Sequence, residues 1–270
     1  MTKILVLGHT GMLGRVVTSI LSDKFKYTIS TTNKRWGEEE LIKVVIQQDL
    51  VINCCGLIPQ RALNATFEDY YSVNTLLPIS LLRLGVPLIH ACTDCIFSGN
   101  PKEAPFKKND HYNAVDAYGR SKLSFYQRLC DLGEVKDLKV VRTSVIGEDA
   151  NNKSLLSWCL KEVCEGRRIN GYTNHIWNGV TNLYWSLFVE KLISSGWTSS
   201  YDIFQIGSTP ISKYQLLCEI VDCWGYDSSE LVKPTEDQCA INKTLVSDFR
   251  VPSIKDQLNA LKVYQSRDSL

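Results

Sequence analysis

The chain has 270 residues, enough to bury one large core or a core with an appended smaller unit. Its 30 Lys and Arg against 29 Asp and Glu leave a formal charge of +1 with no basic block, which removes the electrostatic case for a nucleic-acid partner. No apolar run approaches a membrane span, the apolar start is too short for a signal peptide and is broken by Gly8, and ten cysteines in a chain of this size read as reduced thiols, so a cytoplasmic protein without a membrane partner is expected.

The first predicted strand, residues 4–7, runs directly into Gly8-His9-Thr10-Gly11-Met12-Leu13-Gly14, and helical apolar spacing follows over 12–21. Strand, glycine turn and helix in that order open a dinucleotide-binding βαβ unit, although a glycine trio also fits an ordinary strand-to-helix turn. Gly8 permits the tight turn, Gly11 lets a pyrophosphate approach the backbone, and Gly14 lets helix and strand pack closely. The helix start, with Thr10, Met12 and Leu13, turns its free N–H groups toward the phosphates.

A second strand is predicted at 27–31, followed by Thr31-Thr32-Asn33-Lys34-Arg35 with no acid until Glu38. A ribose 2′-hydroxyl calls for an acid there and a 2′-phosphate for cations, so Arg35 and Lys34 are expected to select NADPH over NADH; the other reading is a solvated basic loop. Residues 39–47 have helical spacing, and an apolar strand at 49–54 ends in Asn53-Cys54-Cys55-Gly56, whose small side chains leave room for a cofactor. A long helix is predicted over 67–84. Asn74 falls on its inward face, where an amide needs partners, and is either a core polar link or part of a proton relay at the cofactor site.

The apolar strand at 86–91 is of the kind buried on both faces of a parallel sheet, and it delivers Cys92-Thr93-Asp94-Cys95-Ile96-Phe97 to its carboxyl end, where ligands bind in open α/β sheets. The C-x-x-C spacing of Cys92 and Cys95 lacks a second ligand pair or a thioredoxin-like context, so small, mostly buried thiols and no metal are expected. The four histidines, His90 among them, stand at no ligand spacing and read as structural or surface groups. After a loop with Pro101 and Pro105 comes a predicted helix at 116–129 holding Tyr118-Gly119-Arg120-Ser121-Lys122, then a strand at 139–142 leading to Thr143-Ser144. This alternation implies an α/β, Rossmann-type, doubly wound parallel sheet over 1–148.

Past Gly147 the alternation loosens. Helices are expected at 155–163, 180–193, 212–224 and 253–263, the last capped by Ser253, with a short strand at 202–206. Residues 149–270 are read as a small C-terminal substrate-binding lid, from which about 180–207 returns to the Rossmann core. The sequons at Asn64, Asn152 and Asn242 carry no weight without secretion.

Tyr118 and Lys122 lie four apart and share a helix face. A phenol has a reference pKa of about 10, and an adjacent ammonium favours its ionised form. With Thr93 able to hydrogen-bond a carbonyl, these are the parts for moving a proton at a carbonyl oxygen while hydride moves at carbon.

The glycine turn at 8, 11 and 14, Asn53, Thr93-Asp94 with Ile96-Phe97, Tyr118 with Lys122, and Arg142-Thr143-Ser144 occur in family order, and the chain resembles the extended short-chain dehydrogenase/reductases of the dTDP-4-dehydrorhamnose reductase type. Trp177-Asn178-Gly179-Val180-Thr181 is similar to that family's loop at the substrate cleft. The resemblance implies reduction by NADPH of the 4-keto group of a dTDP- or UDP-linked 4-keto-6-deoxyhexose of rhamnose type, 2-acetamido forms included. It implies Tyr118 as proton donor, Lys122 on Tyr118 and the nicotinamide ribose, and Thr93 on the carbonyl. Arg61, Asp94, Cys95, Trp177, Asn178 and Lys153 are expected at the cleft or diphosphate. Cys95 departs from the Tyr usual in this branch and cannot serve as the Glu base of the related dehydratases. A sugar-nucleotide 4-epimerase and a non-catalytic NADP-binding regulatory subunit are the alternatives, and a homodimer is allowed.

Overall fold

The computed structural model describes residues 1–149, 153–196 and 198–268. By its contacts the chain divides into two compact units, one of Met1–Phe97, His111–Arg142 and Ser186–Phe204, the other of Ser98–Asp110, Thr143–Trp185 and Gln205–Leu270.

In the first unit, β1 (Thr2–Leu7), β2 (Tyr27–Thr31), β3 (Leu50–Asn53), β4 (Leu88–Cys92), β5 (Leu138–Arg142) and the later β10 (Tyr201–Gln205) form one sheet in the order β10-β5-β4-β3-β1-β2. β1 pairs in parallel with both β2 and β3, and β3, β4 and β5 continue in parallel. The chain therefore passes from β1 to β2 on one side and crosses back over β1 to β3 on the other, which makes a switch point and a crevice at the carboxyl ends of β1 and β3. The middle of the sheet is aliphatic: Ile4, Leu5, Val6, Ile52, Leu88 and Ile89 are fully or almost fully buried, as strands covered on both faces require.

Helix α1 (Met12–Ser22) buries Gly14, Val16, Val17 and Leu21 against the sheet. Helix α2 is Glu39–Val45. The helix expected over 67–84 is instead α3 (Phe67–Tyr71), a π-helical turn at Ser72–Leu76 and α4 (Leu77–Arg83). Pro78, which has no N–H to give, stands at the start of α4, and the wide turn before it absorbs the change of register. Helix α5 (Ala117–Cys130) is capped by Asp116, whose carboxylate accepts from Gly119 N at 2.6 Å. At the sheet edge, the buried Lys139 ammonium of β5 is held by Ser200, Thr198 and Asp202.

The second unit is built from strands of two to four residues, too short to show a period. β6 (Val145–Ile146) pairs with β9 (Val180–Thr181), β7 (Ile169–Tyr172) with β12 (Val232–Thr235), and β8 (His175–Trp177) with β11 (Ile211–Ser212) and β13 (Ile241–Asn242). The helix expected at 180–193 begins two residues late, as α7 (Asn182–Ser194), because Val180 and Thr181 pair as β9. Thr181 ends the strand by giving its N–H to Gln257 and accepting Tyr184 N on its hydroxyl. Helices α6 (Leu155–Cys164), α8 (Lys213–Cys223) and the short α9 (Ser228–Leu231) precede α10 (Ile254–Asp268), which Ser253 caps at Asp256 N, 3.2 Å. The α8 face Leu216, Leu217, Ile220 and Val221 is buried. Asn178 ties the loop after β8 to the backbone of Leu245 through both ends of its amide.

None of the ten cysteines is in a disulfide. Among the described residues no helix is long and apolar enough to cross a membrane, and no group of three or more His, Cys, Asp or Glu could hold a metal ion. Of the sequons, Asn152 lies outside the described residues, and Asn242 Oδ1 accepts from the Thr244 N–H and hydroxyl.

Candidate functional site

The glycine turn is folded on itself: Gly11 N donates to Gly8 O at 2.9 Å, and Gly8 has φ +76°. That φ suits glycine, and a Cβ on Gly8 would stand 3.0 Å from Cys54 C and Cys55 N. A Cβ on Gly14 would lie 2.2 Å from Gly8 O, inside contact distance. The turn and the end of β3 thus approach as closely as backbones can. Gly11 is the N-cap of α1 without a side-chain cap, and no acid stands in the first turn, so the helix start favours an anion. The Arg61 guanidinium, in the short turn Pro59–Arg61, lies 3.7 Å from where a Gly11 Cβ would be. These are cradle features that a dinucleotide pyrophosphate fits. After β2, Lys34 and Arg35 are exposed, and Glu38 is drawn back onto that loop: it accepts Arg35 N at 3.0 Å and stands 4.0 Å from Lys34 Nζ.

Three segments converge beyond the ends of β3 and β4. Thr93, Asp94 and Cys95 make a tight turn in which the Thr93 hydroxyl donates to Asp94 Oδ1 at 3.0 Å and accepts from Cys95 N at 3.1 Å. This turn lies directly on the first turn of α5. A Cβ on Gly119 would be 2.2 Å from Cys95 O, so only glycine allows the approach. Tyr118 reaches back to a side-chain hydrogen bond with Thr93. Its ring meets Tyr70 edge-on, with centroids 6.3 Å apart.

Lys122, buried on the same face of α5, gives Nζ to Ala91 O at 3.4 Å and comes within 3.7 Å of a Cβ position on Gly56. Burial lowers the Lys122 ammonium from its ordinary range, with Cys92 and Cys55 pulling the other way. The Tyr118 phenol is pushed well up by burial and by Cys95, and the Thr93 hydrogen bond opposes this only in part.

Asn74 holds the site's back wall. In the π-turn, its amide nitrogen donates to Leu57 O (3.0 Å) and Ser121 Oγ (2.9 Å), and its oxygen accepts Leu57 N (3.0 Å). These bonds link Asn74 to the 54–57 turn and to α5. Arg142 is fully buried, its guanidinium boxed by Phe97, Tyr112 and Tyr126 at 4.9–5.5 Å, with a bond to Tyr112 Oη at 2.6 Å.

In the second unit Trp177 is buried and donates to Ser144 Oγ at 2.8 Å, and the Asn178 amide is committed to Leu245. Lys153 is exposed, its N–H given to Asp149.

One residue of the site was read from sequence only as structural. His90, fully buried on β4, accepts Asn53 Nδ2 on Nδ1 at 3.2 Å, and Asn53 Oδ1 in turn accepts Cys55 N at 3.0 Å. Burial and the Lys122 charge hold the imidazole pKa well below its usual value. The available signal was a lone histidine in the apolar run 88–92 opposite an asparagine that ends the neighbouring strand.

A family model, the RmlD substrate binding domain, matches residues 1–243, and the chain belongs to that family. It is 28% identical to a dTDP-4-dehydrorhamnose reductase of Mycolicibacterium smegmatis over 149 residues, 53% of this chain and 45% of the relative. The chain thus aligns with about half the length of that relative. It is 23% identical to methionine adenosyltransferase 2 subunit beta of Danio rerio over 262 residues, 87% of this chain and 77% of the relative. Among solved structures, a dTDP-4-dehydrorhamnose reductase of Bacillus anthracis in complex with NADP superposes with a TM-score of 0.81 at 18% identity, covering 98% of this chain and 99% of that one. At that identity the likeness is one of fold.

Proposed function

We propose that this member of the RmlD substrate binding domain family reduces the 4-keto group of a nucleotide-diphosphate 4-keto-6-deoxyhexose, using NADPH bound across the carboxyl ends of β1 and β3. The single observation that carries the reading is the side-chain hydrogen bond of Tyr118 to Thr93, just past the end of β4, with Lys122 of the same helix buried beside the turn 54–56 next to the glycine cradle. A bound nicotinamide supplies the hydride.

The residues of this chain do the rest. Gly8, Thr10, Gly11, Met12, Leu13 and Gly14 hold the pyrophosphate, with Arg61 beside Gly11, and Arg35 and Lys34 take the 2′-phosphate. Asn53, Cys54, Cys55 and Gly56 form the floor, backed by Asn74. Thr93 orients the substrate carbonyl, and the Tyr118 phenol, which keeps its proton through neutrality, gives it to the keto oxygen. Lys122 compensates the phenolate left behind and holds the nicotinamide ribose. Asp94 and Cys95 border the sugar, where a thiol in place of the branch's usual Tyr leaves a wider space. Residues 149–185 and 205–270, Trp177 and Asn178 among them, supply the sugar-nucleotide lid; these two act by shaping their loop, since their polar atoms are engaged. The carrier is thymidine or uridine diphosphate, and ten cysteines without a disulfide fit a cytoplasmic setting.

The test is a panel of 4-keto-6-deoxy sugar nucleotides scored by loss of NADPH absorbance. Stoichiometric consumption supports reduction. Turnover without net oxidation of the cofactor points to a 4-epimerase and overturns it. A second reading, an NADP-binding regulatory subunit, is favoured by the likeness over 87% of the chain to a relative named as a subunit of another enzyme. It predicts NADPH binding with no turnover on any member of the panel.

A further inference from the structure

We infer that His90 is a positioning residue for the cofactor floor, acting through Asn53 on the turn at residues 54–56. The inference rests on the NADPH reading above and adds a residue to it.

Asn53 and His90 are register partners on adjacent parallel strands, and both are fully buried. The Asn53 oxygen is taken by Cys55 N, which fixes the amide orientation and leaves Nδ2 as the group that meets His90. His90 Nδ1 is then the acceptor, and the imidazole must be neutral with its proton on Nε2. A proton on Nδ1 would set two donors against each other, and a ring protonated on both nitrogens would also put a second cation beside Lys122, the charged group that acts on His90. Each link in the chain thus has one orientation. His90 holds Asn53, Asn53 holds Cys55, and Cys55 N stands where a Cβ on Gly8 would be 3.0 Å away.

The alternative, a histidine present only for packing, does not fit its other nitrogen. His90 Nε2 is buried and has no hydrogen-bond partner among the described residues, so the ring leaves a donor unsatisfied that a leucine would not have. Phe125, with its ring centroid 4.8 Å away, gives the ring apolar contact that an aliphatic side chain would share. What histidine adds over an apolar residue at this place is the acceptor for Asn53.

The experiment compares His90→Leu with His90→Asn. The two are near-isosteric and lose similar ring volume, but Asn keeps an acceptor close to where Nδ1 stands. NADPH affinity is measured by calorimetry, and KM and kcat by reduction assay. The expected result is an NADPH Kd raised about tenfold in His90→Leu, the size of one buried donor left unpaired, and restored to within about threefold in His90→Asn. KM for NADPH should follow Kd, with kcat at saturation changed less. Equal affinity in wild type and His90→Leu, or equal losses in both variants, overturns the assignment. Failure of the wild type to bind NADPH overturns the cofactor reading and this inference with it. Should neither variant fold, nitrogen NMR of histidine-labelled wild type decides: a neutral His90 protonated at Nε2 supports the inference, and a proton on Nδ1 overturns it.

Discussion

Replacing Tyr118 by Phe removes one oxygen from the place where proton transfer is assigned and leaves the ring. The ring keeps its edge contact with Tyr70 at 6.3 Å, and Thr93 keeps its bonds to Asp94 and to Cys95 N. The lost contact is the side-chain hydrogen bond to Thr93, so the stability cost should be about 1 kcal/mol or less, a shift of about 2–4 °C in Tm. NADPH affinity should stay within about twofold, because the cradle at Gly8, Gly11 and Gly14 is untouched. Turnover is different. A positioned general acid contributes about 100- to 10,000-fold, so kcat should fall by that factor, equivalent to about 3–5 kcal/mol in the barrier. The assay is single-turnover reduction of a 4-keto sugar nucleotide at saturating NADPH, with calorimetric cofactor binding and thermal melting in parallel. Retention of more than about a tenth of the wild-type rate would refute the proton-donor assignment. A fall in rate accompanied by equal loss of cofactor binding would refute the reasoning that separates the two.

Three further outcomes follow from the same geometry. Because burial raises the Tyr118 phenol well above its ordinary value, its proton is present at low and neutral pH and is lost only as pH rises through that raised value. The reduction rate should therefore show no basic limb from this group below about pH 10, and a limb centred at about 8 in kcat/KM, insensitive to the substrate used, would contradict it. Arg35→Ala should raise KM for NADPH about tenfold or more with little change for NADH, since a phosphate contact is lost in one case only; parallel changes for both cofactors would sink the 2′-phosphate assignment. Gly14→Ala places a carbon where Gly8 O stands 2.2 Å away, so the turn must open, and NADPH binding should drop below detection in a chain whose melting temperature also falls. Wild-type affinity in that variant would mean the turn is not the cradle.

The sheet was legible because its strands are aliphatic runs ended by small residues, and the placing of Tyr118 and Lys122 on one helix because the apolar spacing around them is helical. Three things were not. The π-turn at Ser72–Leu76 has the same apolar spacing as a continuous helix; its place goes with Pro78 just after it and with the bonds of Asn74 to Leu57 and Ser121. The strands of the second unit, two to four residues each, are set by pairings distant in sequence, such as Val180 with Val145, that no local pattern encodes. The protonation state of Tyr118 depends on how deeply α5 buries the phenol and on the neighbouring thiol of Cys95, which spacing along a helix does not reveal.

The division of the chain constrains how the protein can be dissected. Its sheet-bearing unit is interrupted twice and its companion is threaded through in three pieces, so no single cut separates them. A fragment ending near residue 148 would keep the cradle and Tyr118 yet forfeit β10, stripping Asp202 from Lys139 and exposing an unpaired strand edge along β5. Such a piece is expected to aggregate, and swapping a relative's second unit onto this chain would demand grafting all three pieces at once.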